Sequence, residues 1–228
     1  TKRHRHYQYR SYFIGVSFLL LAFYNMATIK FLWLKVLFFP SPEQILYVFI
    51  KDQGFLLKCI LDSSKLLGLG LFFGIIAGLI TGVLVGWSRW GNYWIDPVLK
   101  MVGPIPSTAF VPIALSAFAT SFQASVFLIS LAVWFPVAIL TNSGIQNVKK
   151  SFFEVASTLG ASSWQQVFWV SIPAALPSIF VGLFNGTVSS FLTLMTAEML
   201  GVKYGIGWYI NWQREIMGYA NVYAGLIT

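Results

Sequence analysis

Few side chains in this sequence have the type and company that catalysis needs. The single cysteine, Cys59, excludes an intramolecular disulfide and a cysteine-ligated metal cluster. His4 and His6 sit in a basic tail, where an H-x-H pair reads as solvated charge. His, Asp and Glu gather nowhere as acid–base or metal chemistry requires. The phosphate-cradling pattern G-x-x-x-x-G-K-[ST] is missing as well. The expectation is a chain that is not an enzyme and holds no metal or cofactor of its own.

Two other sets of residues have informative spacing. In the stretch 144–177, Ser151-Phe152-Phe153-Glu154 has the pattern of a helix-starting capping box. Gly160 stands where a left-handed residue would end that helix. Ser162 or Ser163, with Gln165 or Gln166 three residues on, offers a second start, and Pro173 should end or kink the second helix. The prediction is helix, tight glycine turn, helix. The second set is a small and polar stripe, Gly182, Gly186, Ser189, Ser190, Thr193 and Thr196, at three- to four-residue spacing. It suits the lining of a water-filled route or packing against a partner copy, with lining favoured. Glu198 follows, readable as an interfacial charge or as a gate or pairing group.

The elements that carry these residues are dictated by composition. Only 10% of the 228 residues are charged and 57% are hydrophobic, whereas globular domains average about 25% charged. No charge occurs in 11–29, 66–88, 101–148 or 155–197. A membrane-spanning helix takes roughly 20 apolar residues, so these stretches hold one, one, two and one spans. The expected fold is an all-α membrane bundle of five to six transmembrane helices, near 12–29, 66–87, 103–119, 124–142, 174–197 and from 219 onward. The last charge-free stretch, 216–228, is too short to cross, and we read it as a final helix cut short. The third span carries Pro104, Pro106 and Pro112, so it should be bent or start late. Segment 30–65 reads as extracytoplasmic, with a short helix begun by Ser41 and Pro42. Gly70, Gly74, Gly78, Gly82 and Gly86 recur every four residues, the extended form of a close-packing helix face.

The net charge of +8 never gathers into a stripe, which argues against nucleic acid and for membrane topology. Basic residues divide almost evenly between the two sides, and the four in 1–10 with the Lys149-Lys150 pair tip the expectation toward a cytoplasmic N-terminal tail (1–11) and 144–173 loop. Phe152, Phe153, Val155 and Leu159 give that loop apolar area, fit for a groove on another protein or for the bilayer surface. A secondary transporter or channel is the rival function. The absence of a charged residue within the expected spans, and of an internal repeat, speaks against it.

Glu154, Ala156 and Gly160, then nine residues, then Val170-Ser171-Ile172-Pro173, resemble the E-A-A–x3–G–x9–I–x–L–P signature of bacterial ABC importer permeases. Val155, Val170 and Ile172 are conservative departures from it. Over about 38–228, Phe39-Pro40-Ser41-Pro42-Glu43, Asp96-Pro97, Ile105-Pro106, Phe110-Val111-Pro112, Ala174-Ala175-Leu176-Pro177, Ala197-Glu198 and Gly205-Ile206-Gly207 look like the nitrate/sulfonate/taurine/bicarbonate branch. Asp62-Ser63-Ser64-Lys65 departs from the branch pattern expected before the second span.

The resemblance implies a type I importer permease fold in a bacterial inner membrane. It implies two permease copies, commonly identical, with ABC ATPase subunits that hold ATP and magnesium, and an extracytoplasmic substrate-binding protein. The residues it marks for ATPase coupling are Ser151, Phe152, Phe153, Glu154, Ala156, Leu159, Gly160 and Ala161. The implied function is ATP-driven import of a small anion, with Ser189, Ser190, Thr193, Thr196 and Glu198 as the pathway or gate candidates.

Overall fold

The computed structural model describes residues 38–228, together with Val16, Leu19, Ala22, Tyr24 and Met26. The basic tail and the rest of the expected 12–29 span lie outside the described residues. Every regular element described is helical: α1 (Pro42–Lys51), α2 (Gln53–Trp87), α3 (Arg89–Val102), a 3-10 turn (Ser107–Phe110), α4 (Val111–Ala117), α5 (Ser121–Gln146), α6 (Lys150–Thr158), α7 (Ile172–Leu200), α8 (Ile206–Glu215) and α9 (Tyr219–Ile227). The chain divides into two compact units, one of Cys59–Trp208 and one of the described residues up to Lys58 with Tyr209–Thr228.

In the larger unit, α5 lies between α2 and α7. The five α2 glycines face Ile129, Val133, Val137, Thr141 and Ile145 of α5, also one turn apart. A Cβ on Gly74, Gly78 or Gly82 would come within 2.6–2.7 Å of its neighbour's Cβ, and on Gly86 within 3.0 Å, so only glycine admits this approach. Between helices in lipid, where no hydrophobic drive exists, such close contact supplies the association energy. Trp134 Nε1 donates to Thr81 Oγ1 at 2.9 Å across the same seam. On the other side, Gly182 and Gly186 of α7 lie against the α5 backbone at Pro136, Val137 and Val133.

Among the described residues, three helical stretches are long and apolar enough to cross a membrane: Gln53–Trp87, Ser121–Gln146 and Ser163–Leu200. A fourth crossing arises if Arg89–Val102 and Ser107–Ala117, bent by 87°, form one broken span. The expected span 103–119 is therefore no single helix. Gly103–Pro106 is the bend itself, because Pro104 and Pro106 have no N–H to continue the ladder. The helix expected at 66–87 reaches back to Gln53 and so takes in Lys58, Asp62 and Lys65. The 198–217 segment, between the expected spans 174–197 and 219 onward, contains α8.

In the smaller unit, Ser41 caps α1 in a full capping box with Gln44, and Pro42 occupies the first turn. α1 packs on α9, with Phe38 edge-on to Tyr219 at 5.1 Å. Tyr209 and Ile210 pack around Gly225, and Phe55 lies 5.7 Å from the Tyr209 ring.

Candidate functional site

The stretch 150–171 forms an elbow whose bend is fixed by its own backbone. α6 ends in a Schellman motif: Ala161 N–H donates to Ala156 O and Gly160 N–H to Ser157 O, both at 3.0 Å. Gly160 has φ +81°, the left-handed conformation that costs other residues a Cβ clash. Ser162 then starts the next helical turn in a capping box. Its Oγ accepts from Gln165 N–H at 3.4 Å, and its N–H donates to Gln165 Oε1 at 2.7 Å. Gln166 Nε2 donates to Ser157 Oγ and Ala161 O, each at 3.1 Å, and so locks the two arms together.

Two expectations about this elbow are corrected. Ser151 and Glu154 form no capping box, because α6 begins earlier, with Lys149 as N-cap and no side-chain cap. Ser151 is already inside the first turn, and the wide-open start is left to the extended Lys149 backbone. Nor does Pro173 end the second arm. Ser163–Gln165 runs through a π-helical segment, Gln166–Ser171, straight into α7. The wider π turn and the first-turn place of Pro173 in α7 absorb its missing N–H.

Burial divides the elbow residues. Ala156 is buried and Phe153 packs at 5.8 Å on Trp87, the last residue of α2. Phe152, Val155 and Leu159 are exposed, Leu159 at 82%. Glu154 is exposed between them and makes no hydrogen bond or ion pair among the described residues. The elbow is thus seated by one face and presents another.

A buried polar network ties the helix leading into the elbow to α3. Asp96, 7% exposed, accepts from Asn142 Nδ2 and Lys100 Nζ at 2.6 Å each, and Asn142 Oδ1 accepts from Gln146 Nε2 at 2.8 Å. Asn142 and Gln146 lie in the last turns of α5, just before the elbow. The sequence signalled Asp96 only as part of Asp96-Pro97; nothing in it singled out Asn142.

The polar stripe of α7 is split by the structure. Ser189 and Thr193 line a cavity of about 280 Å³ beside the α3 bend, with Ser107, Thr108, Phe135 and Leu192. Ser107 Oγ lies 2.7 Å from Thr193 Oγ1. Ser190 is fully buried and donates to Thr187 O, while Thr196 donates to Leu192 O; neither reaches the cavity.

Glu198 does not line the cavity either, and it is no interfacial charge. It is 0% exposed within α7, where Oε2 accepts from Gly207 N–H at 2.7 Å. Ser63, whose Oγ accepts from Ile206 N–H at 2.9 Å, lies beside the same carboxyl, and Glu198 Oε1 has no hydrogen-bond partner among the described residues. Both N–H groups, of Ile206 and Gly207, belong to the first turn of α8, where the helix itself offers them no acceptor. Gly205, at φ +93°, lies directly on the carboxyl, so a Cβ would displace it. Ser63 is the partner that sequence reasoning passed over; it sits in the stretch that departs from the branch pattern.

The comparisons with known proteins agree with this architecture. The family described as binding-protein-dependent transport system inner membrane component matches residues 70–228. A taurine transport system permease protein of Escherichia coli is 29% identical over 218 residues, 92% of this chain and 78% of that protein. A putative aliphatic sulfonates transport permease protein of Bacillus subtilis is 35% identical over 190 residues, covering 82% and 69%. A nitrate import permease protein of Leptolyngbya laminosa is 33% identical over 182 residues, covering 77% and 64%. With its apolar spanning helices and its exposed elbow, the chain belongs to the family of inner membrane components of binding-protein-dependent transport systems, as a permease subunit.

Proposed function

We propose that this permease imports a small oxyanion of the nitrate, sulfonate, taurine or bicarbonate class, driven by a separate ATPase that engages the elbow. The observation that carries the proposal is the elbow's build: internally locked by a Schellman motif and a capping box, yet presenting exposed Phe152, Val155 and Leu159 around Glu154, which has no partner among the described residues. A surface fixed so firmly, with its apolar side chains outward, suits a preformed cleft. The ATPase subunits hold ATP and magnesium, and a second copy of this chain completes the pathway. An extracytoplasmic binding protein delivers the substrate, and the N-terminus and the elbow lie on the cytoplasmic side of a bacterial inner membrane.

Closure of the ATPase pair on ATP moves the elbow as one body. Phe153 on Trp87 passes that displacement to the end of α2, and the Asn142–Asp96 bond passes it to α3 and its bend. ATP shifts the gate only by its differential affinity for the closed pair. Glu154 meets the ATPase directly, and Gly160 sets the angle at which it does so.

Co-purification tests this. The wild-type chain is expected to bring down an ATPase subunit in equal number. Gly160→Val should reach the membrane at the wild-type level but lose transport and substrate-stimulated ATP hydrolysis, since a β-branched residue is strongly disfavoured in the left-handed region. Full substrate-stimulated hydrolysis by the reconstituted Gly160→Val complex would refute the coupling role. Sidedness has its own readout. A cysteine placed by Leu159→Cys should react with an impermeant maleimide only from the cytoplasmic side.

A further inference from the structure

The cavity beside the α3 bend combines two kinds of wall. One is a cluster of hydroxyls from Ser107, Thr108, Ser189 and Thr193; the other is apolar, from residues such as Phe135 and Leu192. No Asp, Glu, Lys or Arg among the described residues lines it. Its volume of about 280 Å³ is close to the lower end, about 300 Å³, of small-molecule pockets.

The hydroxyls are already ordered. Thr193, 2% exposed, donates its proton to Ser189 O at 3.0 Å, one turn back in α7. Its oxygen is therefore the acceptor in the 2.7 Å contact with Ser107, whose proton points at it. This makes Ser107 the group that can change partners. Its hydroxyl can turn from Thr193 to a ligand oxygen, and Thr193 still keeps its own bond to the helix.

From this geometry we infer that the cavity is a transit site for a short-chain alkanesulfonate, with Ser107 as the donor to the sulfonate and Thr193 as the acceptor that holds the Ser107 proton when the site is empty. The inference rests on the importer reading and narrows its substrate class. Hydroxyl donors without a cation hold an oxyanion weakly, as a site on a route must, because a ligand bound too well does not leave. The apolar wall takes the alkyl chain. An inorganic oxyanion has no such chain and leaves that wall unfilled. Taurine brings an ammonium group, and the lining holds no carboxylate to pair with it, so its desolvation goes uncompensated.

Saturation-transfer NMR with ethanesulfonate tests this on the purified permease–ATPase complex without its binding protein, so that the binding protein's own selectivity plays no part. The wild-type complex is expected to show transfer, which equimolar nitrate or taurine displaces poorly. Ser107→Ala should weaken binding about tenfold, the loss of one hydrogen bond to a charged group. Thr193→Val removes the competing acceptor and should tighten binding severalfold. Opposite shifts from two touching hydroxyls are not what misfolding or a packing role produces. Absence of transfer in the wild type, or equal binding in both variants, overturns the site. Equal displacement by nitrate or taurine overturns the alkanesulfonate assignment. Failure of the importer reading shows elsewhere, as no ATPase co-purifying with the chain, and is thereby told apart.

Discussion

Gly160 and Gly205 have nearly the same backbone, φ +81° and +93°, and opposite surroundings. A Cβ on Gly160 would meet nothing within 4 Å, whereas one on Gly205 would land on the Glu198 carboxyl. At the elbow, glycine answers only to the conformation of a helix end. At the start of α8 it answers to conformation and to space at once, since the loop wraps a buried carboxyl group. The same residue at a similar positive φ therefore carries two different structural burdens. The elbow keeps its shape while its surface stays free to meet a partner, and the Glu198 clamp keeps everything inside.

Substitutions can break or sharpen that contrast. The largest effect is expected from Gly205→Ala. It adds a left-handed penalty of roughly 1–2 kcal/mol to the loss of the buried Glu198 contacts, about 1–3 kcal/mol more. The thermal midpoint of the purified chain should fall accordingly. Glu198→Ala comes next, at about 1–3 kcal/mol, because Gly207 N–H is left buried without an acceptor. Glu198→Gln should be milder, since its amide oxygen still accepts, and melting curves of the two variants would show the order. Gly160→Ala should cost only the left-handed term, roughly 1–2 kcal/mol. Gly160→Asn should recover part of it, because asparagine visits that region more readily. Gly205→Asn should recover nothing, as the clash remains. If asparagine rescued both positions equally, the distinction between them would fail. The smallest effect is Ser162→Ala, about 1 kcal/mol for a lost cap, seen as faster hydrogen exchange in the second elbow arm.

The elbow was legible because its signals are local. Gly160, the Ser162–Gln165 pair and the glycine spacing of 70–86 act within a few residues or along one helix face. The misreadings arose where two local signals competed. Ser151 and Glu154 match a capping box, yet the chain turns helical before them, and the Lys149 backbone takes the start. Pro173 reads as ending or kinking the second arm; it does not end it, because a π turn upstream lets the helix continue. Glu198, at the end of an uncharged stretch, reads either as a boundary charge or as a gate or pairing group; the structure puts it inside, bonded to Gly207 N–H and beside Ser63, some 135 positions earlier.

By itself the sequence determined that the chain is helical and crosses a membrane, because scarce charge and long apolar runs leave backbone groups no other way to be satisfied in lipid. It also determined the turns at Ser41, Gly160 and Ser162, since caps and a left-handed glycine act at short range. Only the tertiary structure decided which polar groups meet: Asp96 with Asn142, Ser107 with Thr193, Glu198 with the start of α8. Those pairings join residues 46 and 86 positions apart in the first two cases. No periodicity encodes them; they follow from how α3, α5 and α7 pack and from where the proline bend turns the chain.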